Sequence, residues 1–287
     1  MDVAVVIPVG SVDAVLAKQL SRVLAQTNVP LNEPVPLNEP VPLREVVLSV
    51  NSAQAAVVND VRSVLESCGD SRVRIVDSSG RKGAAHARNV GAAATSCSVI
   101  AFCDADDLVH AGWLSALITG LGTFDAVSGD VIDVFSDDRM RRWYPSTTSG
   151  ELNRFLGKPY LLTGNLAIRR EAFDAVSGFD ETLTRCEDIA ISWSLLGAGY
   201  SIGHAAGAVI DYRHRDGVLA MLRQHYSYGR GMSEVLRLFG TPAADGRMVS
   251  SPLGLLRPNG QLTPGWSVAS ALRRGAIAAG RLRGLVR

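Results

Sequence analysis

Apolar and polar positions alternate along the first hundred residues in two periods, one suited to strands and one to helices. Val3–Val9 is an apolar run of strand length, and Val12–Gln26 spaces its apolar residues for one face of a helix. The rhythm then repeats. It predicts strands over Glu45–Val50, Arg72–Asp77 and Ser98–Cys103, with helices near Ala55–Ser67 and over Ala84–Ala94. Such alternation belongs to the α/β class, a Rossmann-like, mainly parallel sheet with right-handed crossovers and helices on its faces. From Phe124 the pattern changes: a long strand over Asp125–Phe135, an irregular polar excursion over Ser136–Lys158 and a strand over Tyr160–Ile168. Ile189–Leu196 reads as a helix, Ser201–Tyr212 as a strand and Val218–Phe239 as a long helix.

Two segments stand outside this rhythm. Val29–Arg44 reads VPLNEP-VPLNEP-VPLR, whose prolines forbid helix and central strand, so a tandem duplication that lengthens a surface loop is expected. Beyond Gly240 the chain is rich in Pro, Gly and Arg and closes on ALRRGAIAAGRLRGLVR, with five arginines and no acid. That ending reads either as a frayed terminal helix or as a basic surface helix that meets anionic lipid or a partner.

Composition narrows the function classes. With 287 residues there is ample material for one large α/β domain or two fused halves, and a net charge of +1 gives no global pull toward nucleic acid or anionic lipid. The opening MDVAVVIP does not read as a secretory signal, and no run reaches the 18 apolar residues of a membrane span. Cys68, Cys97, Cys103 and Cys186 lack metal-ligand or disulfide spacing, so reduced and cytoplasmic is the expectation.

Candidate chemistry concentrates in three motifs. Val99–Asp107 reads VIAFCDADD, an apolar run that stops in three acids. Side chains alternate across a strand, so Asp104 and Asp106 project to the same side while Ala105 points away, and two carboxylates at the carboxyl end of a strand suit a hard divalent cation. An acidic turn capping the helix that begins near Gly112 would use the same residues. Ser79–Gly91, SGRKGAAHARNVG, leads from a strand into a helix whose N-terminus, with Arg81, Lys82 and Arg88, suits an anionic nucleotide. Cys186-Glu187-Asp188 opens another helix, where acids are favoured by the dipole and where one carboxylate can raise its neighbour's pKa toward that of a general base.

Taken in order, P-V-G after strand one, G-x-x-x-A-R-N-x-G, C-D-A-D-D, G-N-L-A-I-R-R, G-F-D-E and E-D resemble the family 2 inverting glycosyltransferases of GT-A fold, over roughly residues 3–240. The resemblance implies a nucleoside-diphosphate sugar donor whose diphosphate is held by Mn²⁺ or Mg²⁺. Asp106 would be the direct ligand, Asp104 would reach ribose or a water on the cation, and His214 would close the metal shell. Asp188 would be the general base for an acceptor hydroxyl. Pro8, Val9, Asn51, Asp77, Gly83, Arg88 and Glu187 would help bind the nucleotide-sugar donor, with Gly164 and Asn165 beside the donor sugar. Residues 1–107 would form the nucleotide-sugar-binding half and 108–240 the acceptor-binding and catalytic half of one domain, with 241–287 a basic extension. The acceptor would be a carbohydrate, a lipid-linked sugar or a small molecule, stacked on Trp143, Tyr144, Tyr160 or Trp193. Peripheral contact with the inner face of a membrane through the basic C-terminus completes the expectation.

The chain departs from the family pattern at Ser49–Ala53, where two acids and a glycine are replaced by Ser-Val-Asn-Ser-Ala, and Asn51 stands where a carboxylate would read the base and ribose. Two rivals differ at identifiable residues. A nucleotidyltransferase would carry basic residues in the loop after strand one, which here is Pro8–Asp13 and has none. A noncatalytic sugar-nucleotide-binding protein would not need Asp188.

Overall fold

The computed structural model describes residues 2–26, 43–144, 150–242, 248–249 and 268–285. In chain order the main elements are β1 (Val3–Val9), α1 (Val15–Leu24), β2 (Leu43–Val50), α2 (Ala55–Cys68), β3 (Val73–Asp77), α3 (Ala84–Ala93), β4 (Val99–Cys103), β5 (Leu108–Val109) and α4 (Trp113–Gly120). They continue with β6 (Ala126–Val134), β7 (Asn153–Phe155), β8 (Lys158–Tyr160), β9 (Asn165–Arg169), α5 (Arg170–Ala175), α6 (Glu187–Gly197), β10 (Ile202–Arg213), α7 (Val218–Phe239) and α8 (Val268–Leu285). Apart from Leu43 and Arg44, which start β2, the VPLNEP repeat lies outside the described residues.

One eight-stranded sheet, ordered β3-β2-β1-β4-β9-β6-β10-β5, carries the molecule. Strands β3, β2, β1 and β4 run parallel, and β9 is inserted antiparallel to both β4 and β6. The apolar run of β1 is buried on both faces, as a parallel strand between helical layers must be. Val3, Val5, Ile7 and Val9 join Leu16, Leu20 and Val61 on one side, while Val6 joins Ala85, Ala92 and Phe102 on the other.

Three sequence expectations are corrected. First, the strand expected over Tyr160–Ile168 begins only at Asn165, while Tyr160 ends the small β7–β8 hairpin. The Leu161 N–H donates to Ser192 Oγ on α6, and the Asn165 N–H closes a turn onto the Leu162 carbonyl, so the intervening residues are drawn out of the sheet. Second, β4 stops at Cys103, opposite Asn165, because β9 offers no partner beyond it. Asp104–Asp107 is therefore a turn, and strand alternation does not set the directions of its carboxylates. Third, the C-terminal segment is not frayed. The glycines of α7 and α8 let the two helices meet at backbone distance: a side chain at Gly229 would strike the Ile277 carbonyl, and one at Gly280 the Tyr226 carbonyl. Helix α5 and strand β5 were not anticipated; both are too short to leave a periodic signal.

The seat of α3 on β1 sets the position of everything at its N-terminus. Gly91 makes that seat possible, since a β-carbon there would overlap Val6 Cγ1 and approach Ser49 Cβ to 3.4 Å. Gly91→Ala is expected to destabilise the protein by about 1–3 kcal/mol through overpacking. Urea unfolding should show a lower midpoint with unchanged slope; an unchanged midpoint would mean that α3 is free to lift from the sheet.

Candidate active site

The carboxyl ends of the parallel strands β1 to β4 lie along one edge of the sheet, the edge at which open α/β sheets bind ligands. Between β3 and α3 the chain forms a basic loop, and Asn51 at the end of β2 holds its shape. Asn51 Oδ1 accepts from the Gly83 N–H at 2.8 Å, while its Nδ2 donates to the carbonyls of Arg81, at 2.8 Å, and Ser78. The amide's capacity is spent on the loop itself, so Asn51 acts as a scaffold. Gly83 caps α3 with φ of 144°, a conformation that L side chains rarely adopt. Asp77 accepts from the Ser79 N–H at 2.8 Å, and that bond holds its carboxyl below the usual range. Pro8 and Val9 end β1; the Val9 carbonyl accepts from the Asn51 N–H at 2.8 Å. The exposed Arg81 and Lys82 flank the α3 N-terminus, and Arg81 Nη2 donates to the Glu181 carbonyl at 2.6 Å.

Arg88 stands one turn into α3 and is 3% exposed. Its Nη2 donates to Asp104 Oδ1 at 2.7 Å and its Nη1 to Glu187 Oε1 at 2.9 Å. Burial disfavours the guanidinium charge, but the two carboxylates outweigh it and keep the side chain cationic. One residue thus ties the acidic turn after β4 to the first turn of α6.

The acidic turn is braced from α1. Gln19, fully buried, donates to the Asp104 carbonyl at 3.2 Å and accepts from the Val109 N–H at 3.0 Å, gripping both ends of the turn. Asp106 is exposed at the turn, whereas Asp107 is buried. Asp107 Oδ1 accepts from the Arg213 N–H at 3.1 Å, and its Oδ2 has no partner. Burial, then the charges of Asp104 and Asp106, push the Asp107 carboxyl well above its ordinary range. Gly164 faces the same carboxylates: a β-carbon there would lie 3.0 Å from Asp104 Oδ2 and 3.5 Å from Asp107 Oδ2.

On the far side of Arg88 from the acidic turn, α6 begins after Cys186, which takes left-handed backbone with φ of 66°. That kink separates the two acids of the first turn. Glu187 turns to Arg88, while Asp188 Oδ1 accepts from the Ile189 N–H at 2.8 Å. Burial and the adjacent Glu187 charge push the Asp188 carboxyl up to about 7. A clamp secures this arm to α3. Glu181 accepts from Asn89 Nδ2 and meets His86 Nδ1, both at 2.9 Å, and Asn89 Nδ2 also donates to the Phe179 carbonyl.

Several expected site residues are employed elsewhere. Asn165 is fully buried; its Oδ1 accepts from Trp113 Nε1 and its Nδ2 donates to the Asp130 and Ala208 carbonyls, so it braces the sheet. His214 does not join Asp104 and Asp106, and no group of three metal-ligating side chains converges among the described residues. Its N–H still pairs with the Val134 carbonyl, which carries the side chain along β6 to Asp133 Oδ1 at 2.7 Å. There it stacks on Phe135 at 4.5 Å and packs on Tyr144 at 4.0 Å. Trp193 is 1% exposed and stacks on Phe155, so its indole belongs to the core. Gln19 escaped the sequence reading, because it lies in no chemical motif until the fold brings it to the acidic turn; Glu181, the last residue of G-F-D-E, has no role of its own in that reading.

A proton-linked prediction follows from Asp188. Its carboxyl titrates near 3.8 when unfolded and near 7 when folded. Between those values the native state holds a proton that the unfolded chain has released, so this group makes stability fall as pH rises across that window. Asp188→Asn, which cannot ionise, should match the wild type near pH 4 and exceed it by about 1–3 kcal/mol at pH 8. Denaturant titrations at both pH values check this; an equal difference at both would place Asp188 in an ordinary solvated setting.

Comparison with known proteins agrees with this geometry. Residues 4–177 match the family described as Glycosyl transferase family 2, and residues 99–274 match Glycosyl transferase family group 2. Pre-mycofactocin glycosyltransferase of Mycobacterium tuberculosis is 27% identical over 158 residues, covering 52% of this chain and 34% of the relative. The chain thus aligns with about a third of that relative's length. Among solved structures, mannosyltransferase PcManGT from Pyrobaculum calidifontis, in complex with GDP-Man and Mn²⁺, superposes with a TM-score of 0.65. It is 16% identical and covers 99% of this chain and 86% of its own. GalNAc-T7 with UDP, GalNAc and Mn²⁺ gives 0.58 at 16% identity, covering 83% and 48%. S. aureus TarS 1-349 in complex with UDP-GlcNAc gives 0.56 at 15%, covering 82% and 66%. With the family matched over more than half its length and the sheet superposing on GT-A proteins, this chain belongs to glycosyltransferase family 2.

Proposed function

We propose that the protein transfers a sugar from a nucleoside-diphosphate donor to an acceptor hydroxyl with inversion, and that Asp188 is the general base. The observation that carries this reading is the division between Glu187 and Asp188. One acid is paired with Arg88, while the other, next to it in the first turn of α6, is pushed up to about 7. A base with that pKa is half-ionised near neutral pH and can accept the acceptor's proton. The acceptor oxygen attacks the anomeric carbon from the face opposite the leaving phosphate. The carbon–oxygen bond to phosphate breaks, and the nucleoside diphosphate departs with the electron pair.

The acidic turn has the donor set for Mn²⁺ or Mg²⁺: the Asp104 and Asp106 carboxylates, with the unpartnered Oδ2 of Asp107 behind them. Asp106 would hold the cation directly, and Asp104, bound to Arg88 through Oδ1 alone, keeps Oδ2 for ribose or the cation. When bound, the cation would neutralise the charge that develops on the leaving diphosphate. With no third protein ligand converging among the described residues, the diphosphate itself would complete the shell. The α3 N-terminus, Arg81 and Lys82 offer positive charge to the same phosphates. The acceptor, whether a carbohydrate, a lipid-linked sugar or a small molecule, would approach over α6.

Two variants separate donor binding from chemistry in one assay. Melting curves with UDP or GDP, each with and without Mn²⁺, should show metal-dependent stabilisation of about 2.7 kcal/mol at 100 times Kd. Asp106→Ala should lose that stabilisation. Asp188→Asn should keep it, yet lower turnover of a nucleotide sugar by about 10²–10⁴. Metal-dependent stabilisation of Asp106→Ala, or near-normal turnover by Asp188→Asn, would overturn the corresponding role.

A further inference from the structure

Helix α8 is pinned to α7 along one side and exposed along the other. Gly280 and Gly284 sit buried against α7, the Ser233 hydroxyl donates to the Arg281 carbonyl at 3.0 Å, and Arg273 Nη1 donates to the Trp143 carbonyl at 3.0 Å. The opposite arc exposes Ala271, Leu272, Gly275, Ala278, Ala279 and Leu282, with Leu272 at 45% and Leu282 at 55%. Solvent-facing arcs of surface helices are ordinarily polar. This one carries no charged or hydroxyl side chain, and at 100° per residue it is bordered by Arg274 on one side and Arg283 on the other.

Charge along the chain is segregated in the same sense. All 28 acidic residues precede position 246, and the seven charged residues after Asp245 are all arginine. An apolar arc edged by arginines, on a helix already folded against the body, matches a surface with an anionic rim and an apolar interior. A second copy of the same helix would meet it arginine to arginine. We propose that the outer face of α8 docks on the surface of an anionic lipid bilayer, with Leu272 and Leu282 entering the interfacial region and the flanking arginines meeting lipid phosphates. Among the described residues no helix is long and apolar enough to cross a membrane, so the contact is peripheral.

Vesicle co-sedimentation of the full chain tests this without donor or acceptor, so its outcome is independent of the transferase reading. Vesicles of phosphatidylcholine alone and with about 30 mol % phosphatidylglycerol are the probes. Binding is expected to the anionic vesicles, at least tenfold above neutral ones, and to weaken in about 0.5 M NaCl. The double variant Leu272→Glu/Leu282→Glu should lose at least tenfold in vesicle affinity with an unchanged melting temperature. Should that variant melt early, Leu272→Ser/Leu282→Ser replaces it, with the same loss expected. Equal recovery in the supernatant with both vesicle types overturns the proposal, as does undiminished binding by the folded variant. A concentration-dependent dimer by light scattering, abolished by the variant in the absence of vesicle binding, would assign the face to a second copy instead.

Discussion

A buried guanidinium between two carboxylates is the constraint on which this site depends. Arg88 is held on both sides, by Asp104 at 2.7 Å and Glu187 at 2.9 Å, and neither acid belongs to its own helix. Removing one member of such a buried group leaves the others uncompensated, at a cost of about 3–5 kcal/mol. The acidic turn and the start of α6 are therefore fixed relative to each other by charge as well as by packing. The same pairing sorts the acids by partner: Asp104 and Glu187 are bound to Arg88, while Asp188, pushed up by burial and by the adjacent Glu187, holds its proton until near neutral pH.

Helix α3 is the part that makes the bridge possible. Its N-terminus is shaped by Asn51 and Gly83, its middle carries Arg88 and Asn89, and Gly91 lets it lie on β1 at close range. Asn89 reaches Phe179 and Glu181, so the loop that leads toward α6 is also anchored to this helix. The basic loop, the acidic turn and the start of α6 thus share one rigid mount. Catalytic geometry of this kind is held best by regular elements seated on the core.

The α/β architecture was readable because β1, β2 and β4 are near-continuous buried apolar runs and α1 buries one periodic apolar face. The long helix Val218–Phe239 matched its expected limits for the same reason. What stayed hidden was whatever depends on a partner distant in the chain. Cys103 ends its strand because β9 ends opposite it, and nothing local in CDADD announces this. Likewise, His214 looks free in Tyr-Arg-His-Arg, yet Asp133 and Phe135 from a neighbouring strand claim it. Asn165 sits in a site motif and is spent on the sheet, whereas Gln19, on a helix that carries no chemical motif, braces the turn that carries both candidate metal ligands. The acids at 104, 106, 187 and 188 were legible as chemistry. Their division of labour needed Arg88 in place.

The central claim is that the charge of Glu187, added to burial, raises the proton affinity of Asp188. Single-turnover transfer rates measured against pH, for the wild type and Glu187→Gln, test it most directly. The wild type should gain activity along an acid limb with apparent pKa near 7. Glu187→Gln keeps acceptor atoms for Arg88 but removes the neighbouring negative charge, so the limb should move to lower pH by about one unit. A limb that stays in place, or moves upward, would contradict the account.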